Sequence, residues 1–137
     1  MSEAAARPLR IEFRRIQAIS SRGNLRIRLA ADGDLFAYQE TRDCPQGEHW
    51  SAPWPAQPLR SLAGPQLQEL ATLLAGGGFF ELPGRIVTPG RDGFRDEIDA
   101  ALGARAHSVC VERSAAPPAF ARLRDALIAL AGPPFSA

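Results

Sequence analysis

Two cysteines and two histidines carry the widest chemical range in this chain, and their spacing invites a metal ion. Cys44 and His49 stand five apart and His107 and Cys110 three apart, on paper a four-ligand set of nitrogen and sulfur donors. The second pair, however, lies in Ala106-His-Ser-Val-Cys-Val-Glu112, whose alternation reads as a strand. Residues an odd number of positions apart on a strand point to opposite faces, so one ion would not easily take both. The expectation is therefore no metal and no cofactor. Cys110 is read as a buried apolar thiol and His107, which shares the parity of Val109 and Val111, as a residue at the edge of the core.

Hydrolytic chemistry meets the same obstacle. A Ser or Cys nucleophile needs a positioned base, and His49 and His107 are the only histidines. The one adjacent pair, Cys110 with His107, is split by strand geometry, and no Gly-x-Ser-x-Gly elbow occurs. Asp92, Asp96, Glu97 and Asp99 cluster in sequence and contain the raw material of an acid/base pair. Alternation instead sends Glu97 and Asp99 to the solvent side of their strand. The residues point away from an enzyme and towards a domain that works by binding.

The elements that hold these residues are legible from periodicity. Leu9, Ile11 and Phe13 alternate with Arg10, Glu12 and Arg14, the pattern of a strand buried on one face. Ser20 to Asn24 supplies turn chemistry, and Leu25, Ile27 and Leu29 then alternate with Arg26 and Arg28. Asp32-Gly33 fits a tight hairpin turn into a third strand with Leu35, Phe36 and Tyr38. Gly64-Pro65 opens a helix striped by Leu67, Leu70, Leu73 and Leu74 and ended by Gly76-Gly-Gly78. Phe79 to Pro83 reads as an extended apolar seal between helix and sheet. A strand from about Phe94 to Leu102 and a returning strand from Arg105 to Arg113 flank Gly103, and Pro117-Pro118 begins a helix with Phe120, Leu123, Leu127 and Leu130 on one stripe. The order βββ-α-ββ-α lacks βαβ alternation. It predicts an α+β fold in which an antiparallel sheet of about five strands is covered on one face by two helices.

Length and composition bound the function. At 137 residues, residues 1–137 fit a single domain with one core, preceded by a disordered tail over residues 1–8. No apolar run approaches the roughly 20 residues needed to span a bilayer, so no membrane partner is expected. The start has Glu3 and no apolar region resembling a signal peptide, which predicts a cytoplasmic address. Every one of the 16 basic residues is Arg, and with the abundant Ala this fits a GC-rich bacterial genome. Residues 1–28 carry seven arginines against two glutamates. No nucleic-acid motif presents them, and Arg10 with Arg14, like Arg26 with Arg28, falls on the solvent face of a strand. Nucleic acid is not the expected partner. The Gly-, Pro- and Arg-rich stretch over residues 84–93 does not spell a phosphate loop either, since it has no Lys and leads into a strand.

One segment resists assignment to the core. Residues 42–58 hold four prolines, both tryptophans and no periodicity, and a loop of this length is usually functional or disordered. Trp50 and Trp54 have two open roles. They fold back over an edge of the core, or they anchor a partner, for which large aromatics on a stiffened loop are well suited.

The blocks Leu67-Gln-Glu-Leu-Ala-Thr-Leu-Leu74, Phe79-Phe-Glu-Leu-Pro83, Asp92-Gly-Phe94, Ile98, His107-Ser-Val109 and Pro117-Pro118 before a closing amphipathic helix resemble the emfourin family, proteinaceous inhibitors of thermolysin-like metallopeptidases. The likeness spans about residues 66–130, roughly half the chain. It implies a protein partner, a metallopeptidase, blocked sterically by a preformed loop. The loops with residues for that task are 44–58 and 84–93: Trp50 and Trp54 would anchor, and Arg85, Arg91 and Asp92 would make polar contacts at the rim. The alternative is an interaction module for some other bacterial protein.

Overall fold

A computed structural model of the chain describes residues 8–16, 24–39, 53–90, 93–133 and 135. Its strands are β1 (Leu9–Ile16), β2 (Leu25–Leu29), β3 (Asp34–Gln39), β4 (Arg60–Ser61), β5 (Arg85–Val87), β6 (Arg95–Leu102) and β7 (Arg105–Glu112). The helices are α1 (Gly64–Gly76) and α2 (Pro118–Ala131), and a single 3-10 turn covers Phe79–Glu81. The expected α+β class holds, and the five long strands and two helices follow the order read from the sequence.

Two details differ. The sheet has seven strands in the order β4-β3-β2-β1-β6-β7-β5, and it is mixed, because β5 runs parallel to β7. Both added strands are short edge pieces: β5 comes from the stretch read as irregular over residues 84–93, and β4 from residues left unassigned between the 42–58 loop and the first helix. β4 is held by Leu59 N–H donating to the Leu35 carbonyl at 2.7 Å and Leu62 N–H donating to the Gly33 carbonyl at 2.9 Å. β5 docks through the Cys110 N–H, which donates to the Gly84 carbonyl at 2.9 Å. Pairs this short carry no periodic signal; only the neighbouring strand makes them strands. The segment from Phe79 is a 3-10 turn and not extended, yet it seals as expected: Phe79 is fully buried.

The Asp32-Gly33 turn of the meander forms as the sequence predicts, while residues 20–23 of the expected Ser20 to Asn24 turn lie outside the described residues. Gly33 takes φ +94°, the left-handed region that glycine enters without cost, and its N–H donates to the Ala30 carbonyl at 2.9 Å. In the register Ile11 faces Leu29 and Ile98 faces Phe13, so the inward positions of β1, β2 and β6 form continuous apolar rows. Helix α1 begins with Pro65 in its first turn, where the missing N–H costs nothing, and the Ala63 N–H donates to the Gln66 side chain at 2.8 Å. Leu70 and Leu74 of α1 and Phe120, Leu123 and Leu127 of α2 are fully buried beside Phe13, Ile27 and Ile98. Both helices cover the same face, and the opposite face has no element packed on it among the described residues. Among those residues no helix is long and apolar enough to cross a membrane.

A clasp orders the far edge. The Arg113 side chain runs against Gly90 and Gly93, where an added Cβ would lie 2.9 Å from its Cδ and 2.8 Å from its Cγ respectively. Its Nε donates to the Thr88 carbonyl at 2.8 Å, which ties the segment after β5 to the end of β7. The glycines of this stretch thus admit an arginine, and no ligand is needed to explain them.

Candidate functional site: the open face of the sheet

Strand alternation sorts the charged residues by face, and the register then sets them side by side. On the helix-covered face one charge pair is buried: Arg15 Nε and Nη2 donate to the two carboxylate oxygens of Asp96 at 2.6 and 2.7 Å. Phe94 lies over the Arg15 guanidinium at 3.9 Å, and Arg124 of α2 approaches Asp96 at 3.5 Å. With Asp96 almost wholly buried, this cluster pins the end of the sheet to α2 and leaves no carboxylate for acid/base work.

The open face holds the rest. Glu12 stands between Arg28 of β2 and Asp99 of β6, and Arg14 between Arg26 and Glu97. Arg14 collects three carboxylates at once: Glu12 at 2.7 Å, Asp99 at 2.8 Å and Glu97 at 2.9 Å. Burial alone would lower the Arg14 pKa, but the hydrogen bonds to Asp99, Glu97 and Glu12 outweigh it and raise the pKa further above its ordinary high value. Asp99 moves the other way: burial pushes its carboxyl up, and hydrogen bonds from Ser108 and Arg14 bring it to a net value below the usual carboxylate range. The expected solvated acids, Glu97 and Asp99, do sit on the open face, but as ligands of an arginine that stands more than eighty positions earlier in the chain.

Trp54 is the second component. Its ring lies on the open face, 4.3 Å from the Arg26 guanidinium and 4.4 Å from that of Arg28, and Phe36 lies 5.7 Å from Arg28 on the neighbouring strand. Tyr38 approaches Arg26 at 5.2 Å. Half-buried Trp54 thus covers arginine stems on the side away from the helices, not an edge of the apolar core. A stacked guanidinium keeps its N–H edge available in the ring plane, so the aromatic contacts orient Arg28 without consuming its hydrogen-bonding capacity.

Beside this pair the face is hollowed into a groove of about 600 Å³. Its floor carries Ala30, Ala101 and Ala106, whose small side chains leave the depression, while Arg10, Glu12, Arg28, Asp99 and Ser108 form its walls. Among the described residues neither Arg10 nor Arg28 has an ion-pair partner.

The other sequence-derived candidates are scattered. Arg85 is exposed on the edge strand β5, in register with Cys110. Trp50, Arg91 and Asp92, like Cys44 and His49, lie outside the described residues. Cys110 is not the buried apolar thiol expected of it. With Val109 and Val111 facing the core, it falls on the open face, half-buried opposite Glu97, and burial together with the Glu97 carboxylate pushes the thiol pKa up. His107 is on the core side, as its parity predicts: its Nε2–H donates to the Leu82 carbonyl at 2.7 Å and its ring meets Phe79 edge-on at 5.7 Å. His107 and Cys110 therefore lie on opposite faces. Among the described residues no group of three or more His, Cys, Asp or Glu is placed to hold a metal ion.

The sequence contained a signal for this face that single-strand reasoning passes over. Arg-x-x-x-Arg on β1, Arg-x-Arg on β2 and Glu-x-Asp on β6 are complementary patterns at even spacing, and complementary even-spaced charges suit strands that pair. Comparison with known proteins gives no further guide: no protein-family model matches the chain, and no curated protein matches it.

Proposed function

We propose that this chain is a non-catalytic protein-binding domain whose working surface is the open face of its sheet. The observation that carries this reading is the Arg26–Trp54–Arg28 stack beside a groove on a face that no helix covers among the described residues. Tryptophan, tyrosine and arginine are the side chains that most often dominate binding energy, and here Trp54, Tyr38, Arg26 and Arg28 stand together, with their conformational freedom already spent within the fold. On this face Arg14 engages Glu12, Glu97 and Asp99, and on the other side of the sheet Arg15 engages Asp96, which disfavours a role in proton transfer.

The finer reading follows from the resemblance to the emfourin family: the partner is a thermolysin-like metallopeptidase, inhibited sterically. Of the residues assigned to that contact, Trp54 and Arg85 lie at the open face and its β5 edge. Incubating the purified protein with a panel of thermolysin-like enzymes should abolish turnover near a one-to-one ratio. Unchanged turnover across the panel refutes the inhibitor reading. Inhibition that survives both Trp54→Ala and Arg26→Gln removes the open face from the contact.

A further inference from the structure

We propose that the groove over β1, β2 and β6 is a seat for a carboxylate of an acidic peptide segment of the partner, taken between Arg28 and Arg10. It deepens the reading of the open face as the working surface and rests on it.

Geometry comes first. Ile11 is in register with Leu29, so Arg10 and Arg28 are diagonal neighbours on paired strands. Such neighbours lie roughly 7–8 Å apart, a spacing that two long side chains close onto one anion. Arg28 is bracketed by Trp54 at 4.4 Å and Phe36 at 5.7 Å, which holds its planar fork in one orientation. A fork positioned in advance matches a carboxylate bidentately and loses little freedom on binding.

Charge comes second. Glu12 and Asp99 also line the groove, yet both are drawn to Arg14, at 2.7 and 2.8 Å. Their negative charge is thereby directed away from Arg28 and Arg10, which retain theirs. The alanine floor accepts the aliphatic part of an Asp or Glu side chain or of a chain terminus. The two acidic walls select the class of anion. A nucleic-acid backbone would bring a row of phosphates past Glu12 and Asp99, whereas a peptide brings one carboxylate and otherwise neutral amides. The occupant is accordingly an acidic peptide.

The test is a fluorescence-anisotropy titration of the full chain with a labelled, C-terminally amidated hexapeptide holding one Glu among Ala residues, beside its Gln counterpart and an oligothymidylate of similar length. The Glu peptide should bind at least tenfold more tightly than the Gln peptide, a preference of the size expected for a charge-assisted bidentate contact. Arg10→Gln and Arg28→Gln should each weaken it severalfold, and Arg28→Lys should not restore it, because a lysine lacks the fork. Arg122→Gln, on the exposed side of α2, removes the same charge and should leave binding unchanged. Circular dichroism of each variant verifies the fold, and Arg10→Gln, at an exposed position, stands as the arm least exposed to misfolding. Equal affinity for the Glu and Gln peptides, tighter binding of the oligothymidylate, or a loss with Arg122→Gln equal to that with Arg10→Gln would overturn the proposal. The titration involves no peptidase: failure here with inhibition intact rejects the seat alone, and binding here without inhibition rejects the inhibitor alone.

Discussion

Asp96 and Asp99 stand three positions apart on one strand and have opposite fates. Asp96 points under α2 into a bidentate pair with Arg15, while Asp99 points to the open face and shares Arg14 with two other acids. Removing one partner of a buried pair strands the other charge, so Asp96→Ala should destabilise the fold by about 3–5 kcal/mol in denaturant unfolding. Asp99 is half-exposed, and its replacement by Asn should cost under about 1 kcal/mol at neutral pH. Its signature lies in the acid limb. Its folded pKa is below the unfolded value, so its contribution is complete above the ordinary carboxylate range near about 3.9 and is lost as pH falls through the folded value. Stability measured against pH should therefore fall less steeply below that range in Asp99→Asn than in the parent chain. Cys110 gives a third readout: with its pKa raised by burial and by Glu97, alkylation in a Cys44→Ala background should reach half its maximal rate at a pH above that of a free thiol.

At the scale of elements, position within a helix or turn decides the size of an effect. Leu74 of α1 is fully buried and Leu73, one residue earlier, only partly so. Leu74→Ala should cost about 2–5 kcal/mol, and Leu73→Ala distinctly less, because the void left at Leu74 has no access to water. The segment between β5 and β6 has a different sensitivity. Gly93 takes φ +120° and its missing Cβ leaves room for Arg113, so Gly93→Ala is both strained and overpacked. Thermal unfolding of that variant should show a lowered midpoint, and the added Arg113→Ala change should recover part of the loss by relieving the contact; full additivity of the two changes would refute the clasp.

For the whole molecule, the sheet acts as a partition: stability resides on the helix-covered side and the proposed binding surface on the other. Phe120→Ala beneath α2 and Trp54→Ala on the open face share no partner, and their unfolding free-energy changes should add to within about 0.5 kcal/mol. Trp54→Ala alone should lower stability little and partner binding much. Coupling well beyond that limit in the double variant would show that Trp54 belongs to the core after all. The same partition explains why open-face arginines, read from the sequence as a solvated surface, are in fact partly covered: Arg26 is only 8% exposed, since the ring of Trp54 lies across it.

Periodicity and turn chemistry by themselves determined the five long strands, both helices, the Asp32-Gly33 turn and the faces of Ile98, Val109 and His107, because each is set by neighbours two to four positions away. Tertiary structure alone decided that residues 60–61 and 85–87 are strands, that β5 runs parallel, and that Arg14 gathers Glu97 and Asp99. It also decided that Cys110 faces Glu97 and that Trp54 stacks on Arg26 and Arg28. These depend on strand register and on contacts far apart in the chain, for which local alternation specifies a face but no partner. The chemistry that Cys110, His107, Asp96 and Asp99 offered at first reading is divided by the sheet, and the arginines and Trp54 define the surface on which function is proposed to rest.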